Sequence, residues 1–237
     1  MEVTRIVKRF WTEATVTAAT GGWQVLLDGR AVKTQAGSAQ VVPSEPLALA
    51  MAAEWAAQGP TVDPVSLPLR DLADYAIDVV APDRAAATAQ LLRYAETDTL
   101  CYRAEPDEPL HARQITLWEP LLTAAETRWD IHFERVSGVI HQPQSAAALA
   151  QLERVLAAHD PFTLAALTTL SALAASLTIA LAALEPGAQA AALWNAANLE
   201  EDWQIELWGA DAEAAARRAL RLAAFGAAQR FAQLSKS

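Results

Sequence analysis

The segment from Pro161 to Leu184 constrains the fold most, because none of its side chains is charged. A run of about 20 apolar residues can cross a membrane as a single helix. This run, however, contains several threonines and serines, and its flanking residues Asp160 and Glu185 are acidic, with no basic side chain to set an orientation. The pattern therefore favours a helix that is buried on all sides in a bundle, with an integral membrane protein as the alternative.

The N-terminal part of the chain predicts short strands. Thr15–Thr17 is β-branched throughout, and Trp23–Leu27 follows a pair of glycines. Asp28–Gly29 is a two-residue hairpin signal that precedes the run Ala31–Thr34, and Val41–Val42 suits one more strand. A sheet of this size needs a partner to cover its apolar face.

Helical periodicity begins at Ser44, an N-cap residue followed by Glu45 and Pro46 in the first helical turn. Further helices are predicted over Asp71–Val80, Asp83–Tyr94 and Pro109–Trp129, and over nearly all of the chain from Gln144 onwards. We therefore predict an α+β fold. It consists of a small β-rich N-terminal domain over residues 1–80 and a mostly α-helical C-terminal domain over residues 81–237.

Charge and cysteine content argue against several functional classes. The formal net charge is −10, so nucleic acid and anionic membrane surfaces would repel the chain. We interpret Arg217, Arg218 and Arg221 as a solvated helix face. Cys101 is the single cysteine, so it has no partner for an internal disulfide or a thiolate zinc site, and we interpret it as a small buried apolar side chain.

No motif of a catalytic or cofactor site is present in the sequence. It lacks a phosphate-binding loop, a dinucleotide fingerprint, a nucleophile elbow and a zinc-binding helix motif, and its four histidines have no metal-ligand spacing. We therefore predict no catalytic residue, no metal and no cofactor. The alternative is a small cytoplasmic hydrolase or metal-dependent enzyme that would use the acidic residues Asp98, Glu200 and Glu201 with a histidine.

The segment from Leu199 to Gly209 interleaves carboxylates with large apolar side chains on one predicted helix. Two stripes run along this helix. The first contains Leu199, Trp203 and Leu207, and the second contains Ile205 and Trp208 together with the acidic Glu201. The acidic residues Glu200–Asp202 fit the first turn of a helix, which the helix dipole favours. They fit equally well a partner-binding edge, where aromatic anchors and an acidic group meet another protein.

Several segments together resemble one family, the assembly chaperones for the alpha subunit of the ATP synthase catalytic sector, found in mitochondria and related proteobacteria. The resemblance runs in order through most of the chain, over Arg9–Trp11, Gly21–Thr34, Ala50–Gln58, Leu67–Asp78, Thr97–Ala104, Gln114–Pro120 and Leu199–Gly209. The last of these, LEEDWQIELWG, is the most specific. The family is similar in its two-part plan, with a β-containing N-terminal region and a helical C-terminal region.

The resemblance implies a chaperone that binds the free alpha subunit, shields its beta-contacting surface and prevents aggregation before hexamer assembly. An acidic residue of the LEE segment is associated with activity in the family, and it falls on Glu200 here. The residues that we expect to bind the partner are Glu200, Glu201, Asp202, Trp203, Gln204 and Trp208. We expect Glu200 to pair with a basic or amide donor of the alpha subunit.

The resemblance also implies an oligomeric state and a cellular compartment. We expect a monomer, because the binding surface must be free for the alpha subunit, and we expect no nucleic-acid partner and no stable membrane insertion. The sequence begins without the long targeting extension of the mitochondrial members, whose site is the mitochondrial matrix. We therefore expect a bacterial cytoplasmic protein.

Overall fold

The computed structural model describes residues 7–138, 140–209 and 211–236. Residues 1–6, part of the N-terminus on which the cytoplasmic expectation depends, lie outside these ranges. The order of elements is a small sheet followed by a mostly helical region. The predicted α+β fold class is therefore confirmed.

A small antiparallel sheet opens the chain. Strands β1 (Ala14–Ala19) and β2 (Gly22–Leu27) pair along their whole length. The short strands β3 (Arg30–Ala31) and β4 (Val41–Val42) both pair with β2. Strand β3 ends at Ala31, earlier than the predicted run to Thr34. The turn at Asp28–Gly29 has positive φ at both residues, 47° and 76°, as a two-residue hairpin turn requires.

Helix α1 (Glu45–Ala56) covers the sheet and begins where the sequence predicts. The Ser44 hydroxyl accepts a hydrogen bond from the amide of Leu47 at 3.2 Å, which satisfies one of the free donors of the first turn. Leu47, Met51 and Trp55 on α1 are buried in the core that α1 shares with β1 and β2. Because α1 buries this face, the small sheet is stable as part of the larger core.

The middle of the chain forms α2 (Pro68–Tyr75), a π-helical turn (Ala76–Val80), α3 (Arg84–Glu96) and α4 (Pro109–Trp129). The predicted bounds of α4 are confirmed, and α3 is capped by Asp83, whose carboxylate accepts a hydrogen bond from the amide of Ala86. A parallel pair of two-residue strands, β5 (Tyr102–Arg103) and β6 (Val136–Ser137), was not predicted. Strands this short have no detectable sequence period.

In the described part of the chain, six helices complete the fold. They are α5 (Ala146–Ala157), α6 (Pro161–Ala174), α7 (Leu177–Ala182), α8 (Ala190–Ala197), α9 (Leu199–Trp208) and α10 (Ala212–Ser235). Helix α10 packs against α6, α2, α8 and α1. Its last turn meets the first turn of α1, where the Ser44 hydroxyl donates to the Leu234 carbonyl at 2.5 Å. The division into domains at residue 80 stays a prediction.

The uncharged segment from residue 161 to 184 forms two core helices instead of one. Ala175 has φ 49° and ends α6, and the Ser176 hydroxyl caps α7 by accepting a hydrogen bond from the Ile179 amide at 3.0 Å. Most of both helices is buried, as predicted for a central element of a bundle. Among the residues that the structure describes, no helix has both the length and the apolar character that a membrane crossing requires.

Candidate functional site

Helix α9 carries the six residues predicted to bind a partner, and its apolar side chains become more exposed along its length. Leu199 at its start is 5% exposed, while Leu207 and Trp208 at its end are 55% and 78% exposed. Gly209, with φ 91°, ends the helix in a conformation that side chains other than glycine rarely adopt. One end of α9 is therefore fixed in the core and the other projects into solvent.

Glu200 is held in place by a buried glutamine of α4. The Gln114 Nε2 donates a hydrogen bond of 2.8 Å to the Glu200 Oε1, and the Gln114 Oε1 accepts one of 2.8 Å from the Ala104 amide. Gln114 is fully buried, and because the Ala104 amide can only donate, it requires the Oε1 of Gln114 and leaves the Nε2 to face Glu200.

The environment of Glu200 makes its charged form less stable than it is in water. Partial desolvation raises the pKa of Glu200 above its usual value, although the Gln114 hydrogen bond acts in the opposite direction. The residue as a whole is exposed, so neighbouring groups cover the carboxylate only in part. No lysine or arginine in the described ranges forms an ion pair with it. A cation supplied by a partner would therefore stabilise the charged form.

Trp203 is held against α4 by an arginine. The guanidinium of Arg113 lies 4.5 Å from the centre of the Trp203 ring and donates a hydrogen bond of 2.8 Å to the Glu206 carboxylate. The hydrogen bond with Glu206 raises the pKa of Arg113, so the cation over the ring stays charged. Together with the Gln114 contact, this arrangement fixes one face of α9 along the first turns of α4.

Asp202 and Glu201 face the other neighbour of α9, helix α10. The Asp202 carboxylate is hydrogen-bonded to the Arg218 guanidinium in a partly buried ion pair. Glu201 and Ile205 line a cleft of about 260 Å³ toward α10, together with Arg218 and Trp194. The structure thus brings Glu200, Trp203 and Gln204 to one side of α9, and places Glu201 and Asp202 on the other side.

The arginine cluster of α10 is not a purely solvated face, contrary to the sequence interpretation. Arg218 pairs with Asp202, and Arg221 lies 5.7 Å from the Trp194 ring centre and donates to the Leu173 carbonyl at 3.0 Å. Only Arg217 fits the original interpretation, because it forms an exposed ion pair with Glu213 one turn away. The other two arginines connect α10 to its neighbours, and sequence spacing did not indicate those partners.

A groove of about 700 Å³ lies beside Glu200, and we call it the Glu200 groove. Its walls are formed by Tyr102, Arg103, Ala104, Glu105, Glu108, Leu110, Gly138, Glu200, Trp203 and Gln204. Three of these side chains are carboxylates, and no cation pairs with Glu105, Glu108 or Glu200 in the part of the chain described. Arg103, the one cation in the wall, is buried and already pairs with Glu119 at 2.5 Å. The groove is therefore acidic, with aromatic and aliphatic walls.

The exposed end of α9 adds an apolar surface next to this groove. Gln204, Leu207 and Trp208 are exposed, and we call them the α9 tip. A tryptophan that is 78% exposed is unusual on a free surface, and such residues are frequent anchors at protein interfaces. The site thus combines a projecting aromatic side chain with a carboxylate that has no cation partner within the described part of the chain.

Asp98, one of the residues of the enzyme alternative, has a structural role. Asp98 is fully buried, and its two oxygens accept hydrogen bonds from the amides of Leu100 and Thr178, so it serves as a helix cap. Burial raises the pKa of Cys101 to about 12 and keeps its thiol protonated, which confirms its interpretation as a buried apolar side chain. Across the described ranges, no three histidine, cysteine, aspartate or glutamate side chains are grouped as a metal ion would need.

Two residues that shape the site were not predicted as part of it. Gln114 and Arg113 lie on α4, far from α9 in sequence, and no periodicity connects the two helices. Gln114 opens one of the segments in which the family resemblance was noted, but nothing in that segment indicates that it contacts Glu200. A buried polar side chain acquires such a role only through the fold that brings the two helices together.

Comparisons with known proteins agree with this architecture. The family model described as ATP12 chaperone protein matches residues 8–126. The mitochondrial protein atp12 of Schizosaccharomyces pombe is 27% identical over 217 residues, which cover 85% of this chain and 74% of that protein.

Solved structures give a closer match. The crystal structure of Atp12 from Paracoccus denitrificans has a TM-score of 0.91 and 38% identity, and covers 97% of this chain and 98% of that one. A mutant of that protein, with an aspartate replaced by lysine, matches equally well. The Atu1473 protein of Agrobacterium tumefaciens has a TM-score of 0.92 and 38% identity, over 97% of this chain and 86% of its own. The chain therefore belongs to the ATP12 chaperone family.

Proposed function

We propose that this protein is an ATP synthase assembly chaperone that binds the free alpha subunit of the catalytic sector. It shields the surface of the alpha subunit that later contacts the beta subunit, and so prevents aggregation before the hexamer assembles. The observation that carries this proposal is the pairing of the Glu200 groove, which has unpaired carboxylates, with the projecting Trp208 of the α9 tip. Membership of a chaperone family supports it.

The chemistry of the groove defines the kind of segment that it accepts. Glu105, Glu108 and Glu200 attract a basic side chain, while Tyr102 and Trp203 provide a surface for its aliphatic part or for a neighbouring apolar residue. Charge complementarity guides such an encounter, and a buried pair with Glu200 sets its specificity. The partner segment therefore presents a lysine, an arginine or an amide donor to Glu200.

The design of the surface suits a complex that must later be released. Affinity in such an interface depends on a few anchors, here Trp208 and Glu200, while the exposed rim contributes little. An incoming beta subunit that competes for the same face of the alpha subunit then has few strong contacts to displace. Asp202 acts differently within this site, because its ion pair with Arg218 holds α9 against α10, and Glu201 lines the cleft between these two helices.

Three further statements belong to this proposal. The protein acts without chemistry of its own, and the buried Asp98 is used as a helix cap. It is a monomer when free, because the α9 tip is the surface offered to the partner. It works in the bacterial cytoplasm, where the alpha subunit is made.

An aggregation assay tests the proposal with purified components. Alpha subunit from the same host is diluted from denaturant, and light scattering is followed with and without this protein. We expect an equimolar amount to suppress scattering, and Glu200→Lys to lose that effect. Glu153→Lys, at an exposed glutamate of α5, is the matched control and keeps full activity. Equal suppression by the wild type and by Glu200→Lys would exclude Glu200 from the site.

A further inference from the structure

A second cavity, of about 620 Å³, lies in the N-terminal region and is built from different elements. We call it the Trp11 pocket, and its walls come from the segments 7–11, 27–33, 55 and 61–70. No residue of α4, α9 or α10 contributes to it. It is therefore separate from the Glu200 groove, and nothing in the proposed function uses it.

The floor of the Trp11 pocket is a rigid aromatic cluster. The rings of Trp11 and Trp55 meet edge to face with centres 5.2 Å apart, and the Trp11 indole donates a hydrogen bond to the Trp55 carbonyl. Phe10 packs edge to face on Trp11 at 5.1 Å, yet it is 67% exposed. An exposed phenylalanine at the mouth of a preformed aromatic pocket provides a site for another apolar side chain.

The rim of this pocket is cationic, although the chain as a whole has a net charge of −10. Two of the nearby arginines are already engaged, because Arg9 donates to the Trp11 and Gln58 carbonyls and Arg70 pairs with Asp71 and Asp74. Arg30 and Lys33 also line the pocket and are exposed, and neither side chain forms an ion pair with any described residue.

The carboxylate of Asp28 lies close to Arg30, but the two side chains do not form an ion pair. Its oxygens accept hydrogen bonds from the amides of Thr12 and Glu13 at 2.9 to 3.1 Å. The hydrogen bond from the Glu13 amide lowers the pKa of Asp28 most, and the one from the Thr12 amide comes next. The charge of Arg30 lowers this pKa by a smaller amount. Arg30 and Lys33 therefore remain as two cations at the rim of an apolar pocket that can meet an external anion.

We propose that the Trp11 pocket is a docking site for an extended peptide segment of another protein, in which an aromatic or aliphatic side chain is flanked by carboxylates. The apolar side chain enters between Phe10 and Trp55, and the flanking carboxylates pair with Arg30 and Lys33. Charge complementarity identifies this class of partner, since the pocket is apolar inside and positive at its edge. The Glu200 groove has the opposite charge and selects a basic segment.

Peptide binding tests this assignment independently of the alpha subunit. The probe is a fluorescein-labelled peptide of sequence Asp-Asp-Phe-Glu-Glu with blocked ends, titrated with the full-length protein and followed by fluorescence anisotropy. Two control peptides are used. In the first, lysine and arginine replace the acidic residues, and in the second, alanine replaces the phenylalanine. We expect saturable binding of the probe, about tenfold tighter than that of either control, and weaker binding at higher salt.

Variants locate the binding site. Arg30→Glu combined with Lys33→Glu weakens probe binding by about tenfold or more, and so does Phe10→Ser, which leaves the charges unchanged. Arg154→Glu on α5 is the control for a change of charge elsewhere and has no effect. All of these side chains are exposed, so circular dichroism and thermal unfolding should match the wild type.

Several outcomes would overturn the proposal. Equal binding of the three peptides, no saturation up to about 1 mM, or full binding by the Arg30→Glu/Lys33→Glu variant would each do so. Sedimentation of the unliganded protein tests whether a second copy of this chain occupies the pocket instead. If the double variant changes the mass of the free protein, the occupant of the pocket is a second copy of this chain, and the assignment to another protein is wrong.

Discussion

The amide group of Gln114 donates a 2.8 Å hydrogen bond to the carboxylate of Glu200, and it is the direct link between α4 and the acidic turn of α9. Because Gln114 is fully buried and also binds the Ala104 amide, it holds the Glu200 carboxylate at the edge of the groove. The carboxylate is held in position, and no lysine or arginine of the described ranges pairs with it. This combination of order and unsatisfied charge underlies the predictions that follow.

Substitutions of Glu200 should separate charge from shape. Glu200→Gln can still accept the hydrogen bond from Gln114 but loses the charge, so we expect binding of the alpha subunit to weaken about tenfold. Glu200→Lys places a cation where the partner's cation should lie, and we expect no measurable binding. Titration calorimetry gives both affinities. A change in the unfolding free energy larger than about 1 kcal/mol in Glu200→Gln, which keeps an acceptor for Gln114, would mean that Glu200 has a structural role instead.

The raised pKa of Glu200 predicts that binding depends on pH. The complex with a basic segment needs the charged carboxylate, so affinity should fall as the pH decreases through a value above the usual 4.5. Glu200→Gln removes this group, and its weaker affinity should not show that transition. Affinities measured across a pH series give the result. A wild-type curve parallel to that of Glu200→Gln would show that Glu200 stays uncharged or does not meet a cation.

Trp208 should contribute to binding without contributing to stability. Its side chain is 78% exposed, so Trp208→Ala removes little buried surface, and we expect the unfolding free energy to change by less than about 0.5 kcal/mol. As an interface anchor its loss should weaken the complex by about 2 kcal/mol, or roughly 30-fold. Leu49→Ala on α1, at a residue 53% exposed, is the control. Unchanged affinity in Trp208→Ala would remove the α9 tip from the contact surface.

Gln114, unlike Trp208, should contribute strongly to the stability of the fold. Gln114→Leu keeps the volume but leaves the Ala104 amide without its acceptor, and we expect a loss of about 1–3 kcal/mol in the unfolding free energy. Urea unfolding measures this loss. Gln204→Leu, at an exposed glutamine of the same groove, serves as the comparison and should stay within about 0.5 kcal/mol of the wild type. Equal stability of the two variants would contradict the structural role of Gln114.

The fold was predictable where local signals are strong. Ser44 caps α1 as expected, α3 begins one residue after the predicted start at Asp83, and the Asp28–Gly29 turn joins two strands. The break at Ala175 was not predicted, because an alanine with positive φ has no sequence signature and is held in place by tertiary packing. The β5–β6 pair was missed for a similar reason, since each strand has two residues.

The sequence indicated the candidate site only as a segment of the chain. The interleaved pattern of carboxylates and aromatic residues drew attention to residues 199–209, and the resemblance selected Glu200 within it. Neither signal separates the roles of neighbouring carboxylates. Glu200 faces an open groove, whereas Asp202, two positions later, is neutralised by Arg218 from α10. That difference depends on which helices flank α9, and helix packing over long sequence distances leaves no periodic pattern in one sequence.

The most direct test of the proposed function is co-expression of this protein with the alpha subunit of its host, followed by size-exclusion chromatography with light scattering. We predict a soluble one-to-one complex that forms with the alpha subunit alone, excludes the beta subunit, and is lost with Glu200→Lys but retained with Glu153→Lys. If the alpha subunit aggregates and never co-elutes with this protein, the proposal that the α9 surface binds free alpha subunit is wrong.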